Sequence, residues 1–165
     1  DYVIGTRANI QNDKPIIGTY NVNSEGSSDM YYKGANMLHT LRQLVNDDEK
    51  WRQLLRGLNK TFYHQTVTTQ EIENYISEFL ELNLTAFFNQ YLRDIRIPNF
   101  EYYIENNELN YRWNNVVKNF EMPIEIEINN DNLWLYPNAA WQKTKIKTSE
   151  ISIDRDYYIT HKQLK

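Results

Sequence analysis

The chain has 165 residues, 41% of them hydrophobic, with 18 Lys and Arg against 22 Asp and Glu, a formal net charge of −4 and a pI near 5.4. That length suits one ordinary domain or two small ones, and the acidic balance argues against a nucleic-acid footprint. Cysteine is absent, which excludes a disulfide scaffold, thiol catalysis and cysteine metal sites, and no apolar run approaches the roughly 20 residues of a membrane span.

Residues 1–28 carry Gly5, Pro15, Gly18, Asn21, Asn23, Gly26, Ser27 and Ser28. They predict loop, with at most a short strand or helical turn around 2–10 and 16–17. From Asp29 the pattern becomes helical. Met30, Met37, Leu38, Leu41, Leu44 and Val45, with small Gly34, recur at the period of an amphipathic helix, so this stripe is expected to face a core. Asp29 suits an N-cap or first-turn position, where its carboxylate can meet unpaired backbone N–H groups. Tyr31 falls in the first turn, beside the stripe, where a phenol can point into a cleft. Lys33 is expected to be solvated there, and Gly34 to permit a close approach of helix or loop.

Three more helices follow. Asn46 and Glu49 have capping-box spacing, and Trp51, Leu54, Leu55, Leu58 and Phe62 form a stripe in which Gly57 marks a close helix crossing. Thr68 and Glu71 form a second capping box, with Val67 and Ile72 as its staple, ahead of Ile72, Tyr75, Ile76, Phe79 and Leu80. Leu84, Phe87, Phe88, Tyr91 and Leu92 make the fourth stripe, starting near Asn83 or Thr85. Pro98 closes the helical half. The period then changes to two. Phe100, Tyr102 and Ile104 pair with Leu109, Tyr111 and Trp113 across an Asn106-Asn107 turn, and Ile124, Ile126 and Ile128 turn at residues 129–132 into Leu133-Trp134-Leu135. Shorter strands are expected around 141–146 and 157–160, giving a small β-sandwich.

The segment Tyr31-Tyr32-Lys33-Gly34, followed by an apolar helix ending in Leu41-Arg42, further helices and the run from Phe87 to Leu92, resembles the Tyr-x-Lys-Gly region of the aminopeptidase N family, the gluzincin zinc aminopeptidases. The resemblance runs to about Ile97 and more loosely into the strands. It implies an α+β chain: residues 1–97 as the helical C-terminal part of a thermolysin-like catalytic domain, and 98–165 as a small antiparallel β-sandwich-like domain. It also implies that Tyr31, not Tyr32, donates a hydrogen bond to the tetrahedral intermediate when the N-terminal bond of a peptide substrate is hydrolysed.

Zinc in such enzymes is held by an H-E-x-x-H helix and a downstream glutamate. The three histidines here, His39, His64 and His161, are never four apart, and none precedes the required glutamate. The expectation is that zinc belongs to a full-length parent whose ligands lie upstream of Asp1, and that this chain alone binds none and is inactive. His39 is read as a packing or surface residue, His64 and His161 as solvated. Asn59-Lys60-Thr61 and Asn83-Leu84-Thr85 match glycosylation acceptors by chance. No secretory signal is visible, so the compartment is open: a soluble chain, periplasmic or extracellular if the parent carries a signal peptide. Apolar surface left by missing upstream partners would favour self-association of the fragment. The competing reading is a non-catalytic module of helices plus β-sandwich that binds protein or glycan through Trp113, Trp134 or Trp141. An H-E-x-x-H helix upstream would decide between the two.

Overall fold

The computed structural model describes residues 2–19, 22, 26–148 and 150–165. Asn21 and Asn23, counted above as loop signals, lie outside the described residues. A helical turn α1 (Tyr2–Gly5) runs into a 3-10 turn over Thr6–Asn9. Four longer helices follow: α2 (Asp29–Val45), α3 (Asp48–Thr61), α4 (Thr69–Leu80) and α5 (Thr85–Leu92). The strands are β1 (Asn99–Glu105), β2 (Glu108–Asn114), β3 (Ile124–Ile128), β4 (Asp131–Leu135), β5 (Gln142–Lys145), β6 (Ser152–Ile153) and β7 (Thr160–Gln163). They form two sheets, ordered β5-β2-β1-β7 and β4-β3-β6. The chain is therefore α+β, with helices before Pro98 and strands after it. Every strand pairing is antiparallel except β1 with β7, which is parallel, so the unit after Pro98 is mostly antiparallel, as expected.

Local chemistry explains most boundaries. The Thr68 hydroxyl accepts from the Glu71 backbone N–H while the Glu71 carboxylate accepts from the Thr68 N–H at 2.7 Å, a complete capping box. Val67 stays exposed there and does not act as a staple buried in the core. The other expected box is displaced by one residue. Asn46 takes the left-handed conformation (φ 47°) and closes α2, whereas Asp47 is extended and caps α3 by accepting from Glu49 and Lys50 N–H groups. Both hairpins turn on Asn-Asn pairs with positive φ, Asn106-Asn107 and Asn129-Asn130, as right-handed strand twist requires. Eight of the ten described non-glycine residues with positive φ are asparagines, and no described glycine has one. Gly57 is close-packed: a Cβ there would overlap the Tyr75 hydroxyl, on a ring that sits between Phe62 and Phe79. Gly34 has no such neighbour, since a Cβ would meet nothing within 4 Å, which overturns its expected role.

One apolar cluster runs through both halves, from Met37, Leu41, Leu54 and Ile76 through Phe87, Phe88 and Tyr91 to Phe100, Trp113, Ile124 and Leu135. Strand β2 alternates as expected, with Leu109, Tyr111 and Trp113 inside. Trp113 is 1% exposed and its indole N–H donates to the Met122 carbonyl at 2.9 Å. The segment expected as a strand around 157–160 is instead a plug. Tyr157 and Tyr158 are buried without strand pairing, and β7 begins at Thr160, its four side chains all exposed. The Tyr158 backbone N–H donates to Thr40 Oγ1 at 2.8 Å, and Tyr91 donates its hydroxyl to the Tyr158 carbonyl at 2.9 Å. Burial pushes the Tyr91, Tyr157 and Tyr158 phenols well above the usual tyrosine range. An ordinary tyrosine ionises near pH 10, so above that the unfolded chain loses protons that the folded chain keeps. The stabilising contribution is complete below pH 10 and falls as pH rises, by about 1.4 kcal/mol per pH unit for each fully neutral buried phenol. Urea unfolding at pH 9 and pH 11 should show a clearly lower midpoint at pH 11; equal midpoints would contradict this burial.

Candidate functional site

Helix α2 presents the residues of interest, but turned from the expected orientation. Its buried residues are Asp29, Lys33, Asn36, Met37, Thr40 and Leu41. Met30 and Leu38, assigned above to the core stripe, are 46% and 40% exposed. The inward face at this end is polar because each polar group has a partner waiting. Asp29, fully buried, accepts from the Gln11 and Asn12 backbone N–H groups at 2.9 and 2.6 Å. Its carboxylate thus meets unpaired N–H groups as expected, but they belong to the preceding loop, and Ser28 takes the N-cap position.

Lys33 is not solvated. It is fully buried and donates through Nζ to the Asp94 carbonyl at 2.8 Å. Burial lowers its pKa below the usual lysine range, and the Asp29 and Asp94 carboxylates pull it part of the way back. Asn36 Oδ1 accepts from Arg7 Nε at 2.7 Å, while its Nδ2 donates to the Tyr32 carbonyl at 2.9 Å. Arg7 reaches on to the Arg155 and Asp156 carbonyls at 2.7 and 3.2 Å and lies over the Tyr158 ring. The N-terminal segment, α2 and the segment before β7 are thereby tied together by charged and amide side chains. None of Arg7, Asn36, Thr40 or Asp94 was singled out in the sequence; their signal is tertiary, since the partners of Lys33 and Arg7 are 29 to 149 residues distant.

Tyr31 lies on the other side of this locked helix, in its first turn. Its side chain is 70% exposed, and its hydroxyl has no partner among the described residues. Tyr32 is 38% exposed and points about 100° around the helix. A fixed backbone with an unengaged phenol is what a hydrogen-bond donor to an incoming group requires. Among the described residues, no three His, Cys, Asp or Glu side chains converge as a metal site. His39 pairs instead with Asp156 at 3.5 Å, His64 stands in the loop after α3, and His161 is exposed on β7. Among the described residues these side chains do not come together as a zinc site requires.

A cavity lies elsewhere. About 820 Å³ of space opens between the C-terminal end of α2, the start of α5, the loop before β3 and the end of β4. Leu44 to Tyr31 is about 20 Å along the helix, so this cavity and the Tyr31 surface are separate features. Trp134 and Tyr136 form one of its walls. Trp141 lies outside it, 41% exposed against the Arg112 guanidinium and Tyr103. Asn59 lies within α3 and donates to the Leu55 carbonyl, and Asn83 Oδ1 accepts from the Thr85 N–H ahead of α5. No helix among the described residues is long and apolar enough to cross a membrane.

No protein-family model matches the chain, and no curated protein does. Among solved structures, the fold is similar to the crystal structure of Legionella pneumophila aminopeptidase A in complex with aspartic acid, with a TM-score of 0.62 at 14% identity. The superposition covers 96% of this chain and 21% of that one, so the chain spans about a fifth of that protein's length. At this identity the likeness speaks for the fold.

Proposed function

We propose that this chain is a segment of a zinc-dependent aminopeptidase that hydrolyses N-terminal peptide bonds. In that reading residues 1–97 are the helical C-terminal part of a thermolysin-like, gluzincin-type catalytic domain, and residues 98–165 are a β-sandwich-like domain behind it. The observation that carries the proposal is Tyr31: an exposed phenol without a protein partner, on the first turn of a helix whose opposite face is pinned by buried Asp29, Lys33 and Asn36. The fold likeness to a bacterial aminopeptidase supports it.

The chemistry needed from this chain is electrostatic. Attack on a peptide carbonyl places negative charge on its oxygen, and a positioned O–H donor aimed at that oxygen is worth more in the transition state than in the ground state. Tyr31 is assigned that role. The zinc that activates water in such enzymes is supplied, in this reading, from outside these 165 residues, and so are the groups that anchor the substrate's free amine. The test is hydrolysis of aminoacyl-p-nitroanilides by the longer polypeptide encoded by the gene and by this chain alone. Activity is expected from the former and none from the latter. An inactive longer polypeptide without an H-E-x-x-H helix would favour a protein- or glycan-binding module instead.

A further inference from the structure

The cavity at the far end of α2 plays no part in the Tyr31 reading, and we propose that it is a peptide-binding cleft, taking an uncharged extended segment with one large apolar side chain. Its floor is apolar: Leu84, Phe87 and Met122 line it and are each 4% exposed. Such a floor rewards removal of an apolar side chain from water. Its rim is amide-rich. The Asn46 and Asn119 side chains make no hydrogen bond among the described residues, and Asn83 engages only its Oδ1, on the Thr85 N–H at 3.2 Å. A primary amide carries a donor and an acceptor side by side, the same pair that a peptide unit displays.

Two rim charges of opposite sign, Lys118 and Glu121, come from one loop and neither is ion-paired. They cancel, so the rim selects neither a phosphate nor a basic segment. The Trp134 indole N–H is also without a partner on the wall above the floor. At about 820 Å³ the space is in the range of ligand pockets, roughly 300–1,000 Å³, and holds one anchor side chain with its flanking peptide units. Thr85 and Asn89 also line the cavity, so a saccharide is the competing occupant that the test must separate from the peptide. The inference rests on this cavity alone and stands or falls without the peptidase reading.

The test is a titration of the ¹⁵N-labelled chain with acetyl-Ala-Phe-Ala-amide, acetyl-Ala-Gly-Ala-amide and cellotriose, read by NMR. The phenylalanine peptide is expected to shift the Trp134 indole and the Asn46 and Asn119 amide resonances saturably, at least about tenfold more tightly than the glycine peptide. Trp134→Ala should weaken that binding roughly fivefold or more. Asn119→Gly removes one rim amide while suiting the left-handed backbone there (φ 63°), and should weaken it without disturbing the fold. Equal binding of both peptides, shifts produced by cellotriose alone, shifts confined to the Tyr31 end, binding unaffected by both substitutions, or no saturable shift at millimolar peptide would each overturn the proposal.

Discussion

Tyr31→Phe in the full-length polypeptide is expected to lower peptide turnover roughly a hundredfold, the effect of removing one oxyanion donor worth on the order of 3 kcal/mol. The substitution deletes a hydroxyl that has no hydrogen-bond partner among the described residues and leaves a residue that is already 70% exposed. Folding stability and metal content should therefore be unchanged, and the loss should fall mainly on turnover, since the hydrogen bond is made in the transition state. Tyr32→Phe is the control. Its backbone carbonyl holds Asn36 Nδ2 at 2.9 Å, but its hydroxyl has no partner among the described residues, so turnover should stay near normal. A nearly active Tyr31→Phe enzyme, or a crippled Tyr32→Phe one, would show that the donor is misassigned.

Asp29→Ala is expected to be the most destabilising single substitution at this end of the molecule, costing about 3–5 kcal/mol. The carboxylate is fully buried and is the acceptor for the Gln11 and Asn12 backbone N–H groups. Alanine would leave the Gln11 and Asn12 backbone donors without their acceptor and take away the carboxylate whose charge does most to offset the burial of the Lys33 ammonium. Asp29→Asn keeps an acceptor of the same shape and should lose clearly less. Urea unfolding gives the magnitude, and limited proteolysis should find residues 2–13 cut first in the alanine variant. A loss under about 1 kcal/mol would mean that the network is decorative.

How far the sequence could be read depended on where each residue's partner lies. The Thr68 capping box, the two Asn-Asn hairpins and the halt at Pro98 were legible because their determinants are within a few residues of each other. The order of helices then strands follows from the change of period, and the α+β class with it. The face of α2 was legible only in part: Met37 and Leu41 are buried as the stripe predicts, with Leu44 and Val45 against the core, but the first turns were not. A stripe of Met30 and Leu38 is a reasonable core by hydropathy, but buried Asp29, Lys33, Asn36 and Thr40 won because remote loops supplied their hydrogen bonds. Asn46 and Asp47 compete for one junction, and the choice turns on which tolerates a left-handed backbone. Residues 157–160 are aromatic and β-branched like a short strand, yet Tyr157 and Tyr158 are buried without strand pairing, while β7, with all four side chains exposed, gives no period to read. Tyr31 was found through a motif and not through its surroundings. The large cavity left no trace, being assembled from four separated segments.

The tie between Arg7, Thr40, Tyr91 and the segment at 155–158, together with the parallel pairing of β7 on β1, bears on the order of events during synthesis. Helix α2 leaves the ribosome with a buried-type polar face whose Thr40 finds its Tyr158 partner 118 positions away, while Arg7, which holds Asn36, also reaches forward to the Arg155 carbonyl. Its own hydrogen bonds and the two hairpins can form at once, since their contacts are local, but closing a loop of that span costs chain entropy before anything is returned. The helical half therefore waits, with Tyr91 and Thr40 unsealed, until translation has delivered Tyr158. A nascent chain stalled before that point should remain sensitive to protease in α2 even though all the helices and both hairpins have already been made.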